Sequence, residues 1–229
     1  MTGAELFSLL PVAILGAVLG LDVVSFPQAM ISRPIVAATL GGALAGDITS
    51  GLVAGAVLEM IALEMLPVGA SRYPEWGTAS VVGGAMAAAF YTVPGAALMA
   101  IFASIATAWA GGWSMYGLRR LNGVWVRREL GMLEAGQPGT VAGLQLRGLT
   151  GDFVRGFLLT LVALLIWTPV ASWVLAHWSL GRTPSHVVLA AVAAAVAGSA
   201  AWRISQGVIG ARWFFLGGLV MGIAILMLR

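Results

Sequence analysis

The sequence of 229 residues contains no cysteine, no lysine and few charged residues of any kind. The absence of cysteine excludes disulfides, thiolate metal sites and a phosphocysteine on this chain. Charged residues make up 9% of the sequence, against about 25% in an average soluble domain. These residues are too few to build the polar surface of a soluble protein, so the sequence suits lipid surroundings.

Apolar residues make up 60% of the sequence and lie in long runs. Because each membrane crossing needs about 20 apolar residues, we predict an all-α, multi-pass integral membrane protein with a single domain over residues 1–229. Five or six crossings are compatible with the runs, and the side of the N-terminus stays open. The first run, residues 6–26, lacks a basic start and a cleavage motif, so we expect a retained span. Gly16 and Gly20 in this run predict close helix packing.

All twelve basic residues are arginines, and the net charge is +3. Six of the arginines lie close together in the sequence: Arg119, Arg120, Arg127, Arg128, Arg147 and Arg155. Since they lie between apolar runs, we interpret them as a signal of membrane orientation and expect no nucleic-acid partner. The positive-inside rule predicts that residues 111–152 form a cytoplasmic loop.

The run from 35 to 66 is too long for one straight crossing and too short for two. Residues 46–51, with the sequence GDITSG, divide it into pieces that would rise about 17 and 22 Å as helices, whereas the hydrocarbon core is about 30 Å thick. We predict a broken, re-entrant helical hairpin, a feature that marks substrate sites in transporters. The following run, residues 78–110, contains Pro94-Gly95 and is either one kinked span or a second hairpin.

Four residues at intervals of four, Asp47, Gly51, Gly55 and Glu59, lie along one stripe of the predicted helix. The two glycines predict an open groove with a carboxylate at each end. Glu59 has apolar neighbours on both sides, and a carboxylate at membrane depth usually marks a substrate or ion path. Carboxylates also accept hydrogen bonds from sugar hydroxyls.

Each acidic residue also has a structural interpretation. Glu59 could pair with Arg33 or Arg72 or be protonated, and Asp47 could cap the second half-helix. Asp22 lies near the end of a span, where a solvated carboxylate is ordinary.

Other chemistry is not indicated. The two histidines, His177 and His186, are not expected to form a metal site, and we expect no cofactor. The sequence has no phosphate-binding glycine loop, Ser-His-Asp arrangement or nucleotide fingerprint.

The segment that contains these residues resembles a known family. Its elements are Arg33-Pro34 through Gly46-Asp47, then Thr49-Ser50-Gly51, Leu58-Glu59 through Leu63, Val68-Gly69-Ala70 and Pro74-Glu75. This pattern is similar to the IIC subunit of the mannose/fructose/sorbose class of the bacterial phosphotransferase system. The rest of the chain agrees with the family only in hydropathy and length.

The resemblance implies a hexose-translocating subunit in the bacterial inner membrane that carries no phosphorylated or catalytic residue itself. Its partners would be a IID membrane subunit and a soluble IIA/IIB phosphocarrier, in a homotrimer of IIC–IID pairs. Glu59 would contact the sugar, Asp47 would shape the hairpin, and Gly69 and Ser71 would line the site. Asp22 and Arg33 complete the predicted sugar site. The alternatives are an uncoupled solute carrier and a membrane scaffold or regulatory subunit without transport.

Overall fold

The computed structural model describes residues 3–63 and 72–227, and in these ranges the chain is α-helical without strands. The predicted all-α architecture is therefore confirmed. In chain order the helices are α1 (Gly3–Val24), α2 (Pro34–Leu44), α3 (Ile48–Leu63), α4 (Trp76–Ala89), α5 (Ala96–Arg128), α6 (Leu130–Glu134), α7 (Thr140–Ala176), α8 (Arg182–Ser205) and α9 (Ala211–Met227).

The predicted broken hairpin is present as α2 and α3. Gly46 adopts φ +101° in the turn, a backbone conformation that favours glycine. The two helices meet at Gly42 and Gly51, where a Cβ on Gly42 would lie 2.7 Å from the Cα of Gly51. With 11 and 16 residues, the helices rise about 17 and 24 Å, so neither crosses the hydrocarbon core of about 30 Å.

Helix α4 lies at the centre of the protein, and residues 77–88 are all buried. Small residues allow its backbone to approach its neighbours closely. A Cβ on Gly84 would overlap the carbonyl group of Ala38 in α2, and Gly83 lies against Ser104 of α5. The apolar run at residues 78–110 belongs to a hairpin of α4 and α5 with a turn at residues 90–95. Of the two alternatives that the sequence left open, the hairpin is therefore the one observed.

Helices α1 and α7 run antiparallel in close contact. As the GxxxG pattern predicted, Gly16 and Gly20 face α7: Gly16 lies against Thr160, and a Cβ on Gly20 would lie 3.8 Å from the Cα of Gly156. Near the end of α1, Ser25 bonds to Asp152 of α7. The start of α1 therefore lies at the opposite end of the bundle from the turn that precedes α7.

Helices α5 and α7 are longer than a membrane is thick. They contain 33 and 37 residues, or about 50 and 55 Å of helix. Between Val154 and Trp173 the exposed apolar side chains of α7 extend over about 29 Å, which matches one hydrocarbon core; the exposed Val141 and Leu146 lie further out, in the hydrophilic part of the helix. Segment 111–152, predicted to be a loop, is mostly helical in α5, α6 and α7. We call its outer part, residues 117–152, the arginine-rich hairpin.

Helices α5, α7 and α8 are long and apolar enough to cross a membrane. Helices α8 and α9 expose most of their side chains, including large apolar ones such as Trp213, Phe214 and Met221. This exposure is expected for helices whose surroundings are lipid.

The contact between α4 and α2 gives a test of the fold. We expect Gly84→Ala to lower the free energy of unfolding by about 1–3 kcal/mol, because the added methyl group meets backbone that cannot move aside. Thermal unfolding in detergent, followed by tryptophan fluorescence, measures the change.

Gly143→Ala in α7 is the matched control, since a Cβ there meets nothing within 4 Å. Alanine favours a helix over glycine by up to about 1 kcal/mol, so this variant should be as stable as the parent or slightly more stable. Equal unfolding temperatures for the two variants would contradict the close contact of α4 with α2.

Candidate functional site

A cavity of about 240 Å³ lies at the end of the bundle nearest the arginine-rich hairpin. It is bounded by the end of α1, the loop that follows, the start of α2, the end of α3 and the residues before α4. Binding pockets for drug-sized molecules hold about 300–1,000 Å³, so this cavity suits a smaller solute. Its polar and aromatic walls include Asp22, Gln28, Arg33, Tyr73 and Trp76. We call it the inner cavity.

The Glu59 carboxylate is paired with the guanidinium of Arg33. It also accepts a hydrogen bond of 3.2 Å from the backbone N–H of Ile35 in the first turn of α2. Glu59 therefore joins the end of α3 to the start of α2, as one of its two structural interpretations predicted. Arg33 lines the inner cavity while Glu59 does not, so Glu59 reaches the cavity through its partner.

Asp22 is buried and organises the loop on one side of the inner cavity. Its carboxylate accepts hydrogen bonds from the backbone N–H groups of Ala29, at 2.6 Å, and Ser32, at 2.9 Å. Within this loop Gln28 and Met30 have φ values of 58° and 62°, which are uncommon for residues other than glycine. Both residues line the cavity. Backbone strain of this kind clusters at ligand sites and is held by the surrounding structure.

Aromatic side chains also line the inner cavity. Tyr73 and Trp76 both line it, and Arg119 of α5 donates a hydrogen bond of 2.6 Å to the Tyr73 hydroxyl. An aromatic wall beside a guanidinium and an amide combines an apolar surface with hydrogen-bonding groups, which suits a solute with both kinds of surface.

A buried network of charged side chains lies next to the inner cavity. It was not predicted from the sequence. Arg155 of α7 donates a hydrogen bond of 2.8 Å to Asp152 and lies 3.9 Å from the Glu75 carboxylate. All three side chains are at least nine-tenths buried. Glu75 caps the start of α4, accepting a 3.1 Å hydrogen bond from the Thr78 N–H.

The network joins four helices at one level of the bundle. Ser25, just after α1, donates a 2.6 Å hydrogen bond to Asp152, and Arg155 donates one of 3.2 Å to Ser114 of α5. The signal in the sequence was an Asp–Arg pair spaced three residues apart on α7. This pair does not stand out in the sequence, because Arg155 lies close to the five other arginines that indicate membrane orientation.

Asp47 lies at the other end of the hairpin from Glu59. Their separation of twelve positions corresponds to about 18 Å along the helix. Asp47 accepts hydrogen bonds from the Thr49 N–H at 3.1 Å and from the Ser50 hydroxyl at 2.6 Å, which is the geometry of a helix cap. The predicted carboxylates are therefore not brought together.

A second cavity, of about 250 Å³, lies at Asp47's end of the bundle. Thr49, Ser50, Tyr91, Arg182 and His186 are among its walls. We call it the outer cavity. The two cavities lie at opposite ends of α3 and α4, with the packed small residues of α4 between them.

The open groove predicted along Gly51 and Gly55 is absent, and that prediction was wrong. A Cβ on Gly55 would lie 3.0 Å from the Cα of Ile35, and Gly51 is similarly close to Gly42. Helix α2 fills the space that the glycines leave. Two other predicted site residues, Gly69 and Ser71, lie outside the described residues.

No group of three or more His, Asp or Glu side chains that could hold a metal ion occurs in residues 3–63 and 72–227.

Comparison with known protein families identifies the family of this chain. The model of one family, described as the PTS system sorbose-specific IIC component, matches residues 6–181. The chain belongs to this family. Because the match covers most of the chain, the family extends well beyond the hairpin segment that carried the resemblance in the sequence.

Individual relatives of this IIC protein align over shorter segments. The mannose-specific EIIC component of Escherichia coli (strain K12) is 42% identical over 50 residues, which are 22% of this chain and 19% of the relative. The sorbose-specific EIIC component of Klebsiella pneumoniae is 40% identical over 50 residues, with the same coverage. The fructose permease IIC component of Bacillus subtilis is 36% identical over 69 residues, 30% of this chain and 25% of the relative. The alignments thus span about a fifth to a quarter of these relatives.

Solved structures share the fold of the IIC protein over its whole length. A chain described as a membrane protein matches with a TM-score of 0.71 at 19% identity, covering 100% of this chain and 95% of that one. A chain from the complex of the mannose transporter ManYZ with microcin E492 matches with a TM-score of 0.59 at 18% identity and the same coverage. At these identities the likeness shows the fold alone.

The buried network gives a prediction about stability. We expect Arg155→Met to lower the free energy of unfolding by about 3–5 kcal/mol, because it leaves the carboxylates of Asp152 and Glu75 buried without a cation. Denaturation of the purified protein in detergent measures the loss.

Arg147→Met is the control on the same helix. Arg147 pairs with Glu129 but is 56% exposed, and exposed pairs contribute about 0–1 kcal/mol. If both substitutions cost the same, the network around Arg155 does not hold the helices together.

Proposed function

We propose that this chain is the sugar-translocating subunit of a phosphoenolpyruvate-dependent phosphotransferase system in the bacterial inner membrane. It binds a hexose and moves it across the membrane while partner subunits phosphorylate it. The observation that carries the proposal is the inner cavity, a space for a small polar solute inside a membrane protein of the IIC family. The names of the mannose, sorbose and fructose relatives agree with a sugar as that solute.

The hexose binds in the inner cavity through polar groups on one side and aromatic rings on the other. The Arg33 guanidinium, held by Glu59, and the Gln28 amide supply hydrogen-bond donors and an acceptor for sugar hydroxyls. Tyr73 and Trp76 pack against the apolar face of the ring. Asp22 holds the loop in its binding conformation.

The inner cavity faces the cytoplasm. The arginine-rich hairpin lies at the same end of the bundle as this cavity, and the positive-inside rule places that hairpin in the cytoplasm. The outer cavity and the start of α1 then lie at the periplasmic side. A sugar released from the inner cavity enters the compartment in which it is phosphorylated.

The phosphoryl group comes from another chain. The two histidines, His177 and His186, lie at the end of α7 and the start of α8, on the side of the outer cavity. As the resemblance implies, the donor is a soluble IIA/IIB phosphocarrier. A IID membrane subunit completes the translocating unit, in a trimer of IIC–IID pairs.

A non-transporting scaffold is the second candidate, and the pairing of Glu59 with Arg33 is the observation that favours it. Sugar uptake by vesicles, with and without a matching IID subunit and phosphorylated IIB, separates the candidates. Uptake that needs both partners supports the proposal. Uptake without phosphorylated IIB indicates an uncoupled carrier, and no uptake under any condition indicates a scaffold.

We expect Glu59→Gln to weaken sugar uptake at least tenfold while leaving the fold intact, because the neutral amide no longer holds the Arg33 guanidinium. Radiolabelled hexose uptake and unfolding in detergent measure the two properties. Uptake at the parental rate would remove Glu59 from the site.

Asp47→Asn, just before the start of the same helix, is the comparison, since Asp47 lies beside the outer cavity. If it acts only as a cap, the substitution costs at most about 1–2 kcal/mol of stability and leaves the apparent sugar affinity unchanged. A tenfold loss of affinity would place sugar contact at the outer cavity instead.

The orientation is tested with a single cysteine, because the chain has none of its own. Gln137→Cys lies in the exposed turn before α7, and we expect it to react with a membrane-impermeant maleimide only after the cells are opened. Labelling in intact cells would reverse the orientation.

A further inference from the structure

An apolar groove lies near the tip of the arginine-rich hairpin, away from both cavities. It has a volume of about 510 Å³ and lies between α5, α6 and α7. Trp125, Val126, Leu133, Val141 and Leu144 supply most of its walls. Val141 is 68% exposed at its edge. We call it the hairpin groove.

The hairpin groove lies in water, beyond the membrane surface. If the hydrocarbon core ends near Tyr116 on α5 and Val154 on α7, the helices continue for about 18 and 21 Å past it. The headgroup layer accounts for about 5–8 Å of that length. Apolar side chains exposed in water at this distance mark a surface that binds a partner.

The charges around the groove favour an acidic partner. The hairpin carries five arginines, Arg119, Arg120, Arg127, Arg128 and Arg147, against three acidic residues, Glu129, Glu134 and the buried Asp152. Glu129 is occupied by Arg147, and Arg120, Arg127 and Arg128 are exposed. Complementary charge steers a partner to such a surface and fixes its orientation.

The groove continues towards the inner cavity. A neighbouring cleft shares Asn122, Gln145 and Gly148 with it and extends down the hairpin to Arg119. Arg119 in turn bonds to Tyr73, which lines the inner cavity. A protein bound in the groove is therefore connected to the inner cavity through this cleft and Arg119.

We propose that the hairpin groove is the docking surface for the soluble phosphocarrier, which binds with an acidic surface that carries apolar side chains. The identity of the partner rests on the proposed function. The location rests on the groove, its arginines and its path to the inner cavity. Lipid is the less suitable occupant because the groove extends away from the headgroups, and its outer edge at Val141 lies about 12 Å beyond them.

The test compares two substitutions on α7 in the full-length chain, co-purified with its IID subunit in nanodiscs. Val141→Asp places a negative charge at the edge of the groove. Leu146→Asp is the matched control, because Leu146 is 66% exposed but lies outside the groove, about 140° around the helix. The probe is the purified IIB phosphocarrier, and its affinity is measured by surface plasmon resonance.

We expect Val141→Asp to weaken IIB binding at least tenfold and Leu146→Asp to change it less than twofold. Binding to the parent should fall steeply as salt rises, since the arginines contribute by charge. Sugar binding to the nanodisc complex, measured without IIB, should be the same in all three proteins and shows that each is folded.

Three results would overturn the docking surface: unchanged IIB affinity in Val141→Asp, equal losses in both variants, or loss of the IID subunit from Val141→Asp alone. The last result would make the groove a contact between membrane subunits. Val141→Asp could instead leave IIB binding intact and reduce the binding of the complex to separate nanodiscs of anionic lipid. In that case the groove binds lipid. None of these results affects the proposed function, which fails if the parental complex takes up no sugar or takes it up without phosphorylated IIB.

Discussion

The architecture depends on the direct contact of backbone with backbone among α2, α3 and α4. Van der Waals packing of small residues is a main source of helix association where lipid provides no hydrophobic driving force. Gly84 lies on the Ala38 carbonyl, and Gly42 lies on Gly51, so these helices approach more closely than side chains would allow. The two cavities form where this packing ends, at the turn of the hairpin and at its base.

The hairpin was predictable because its signal is local. A glycine-interrupted run with pieces too short to cross a bilayer has few other solutions, and the pairing of Glu59 with Arg33 was among the stated alternatives. The groove along Gly51 and Gly55 was a wrong prediction for an instructive reason. A glycine stripe removes side chains from one helix, but whether the space stays open depends on the neighbour, which the sequence does not reveal.

The charge network and the long hairpin were not predictable by the same means. Glu75 and Arg155 are far apart in sequence and meet because α4 and α7 pack against each other and against α1. The outer turns of α5 and α7 are hydrophilic, so no apolar run in the sequence indicates that they are helical. In both cases tertiary contacts decide the structure. Gly69 and Ser71, predicted from the resemblance, lie outside the described residues and stay predictions.

The seam between α2 and α4 determines how a path between the two cavities could open. Many permeation barriers are bulky side chains, which swing between rotamers within nanoseconds. At Gly84 and Ala38 there is no long side chain to swing. A passage along this seam therefore requires entire helices to shift as rigid units, a collective motion of microseconds to milliseconds. Between such shifts the contact of Gly84 with the Ala38 carbonyl leaves no gap between the two helices at this point.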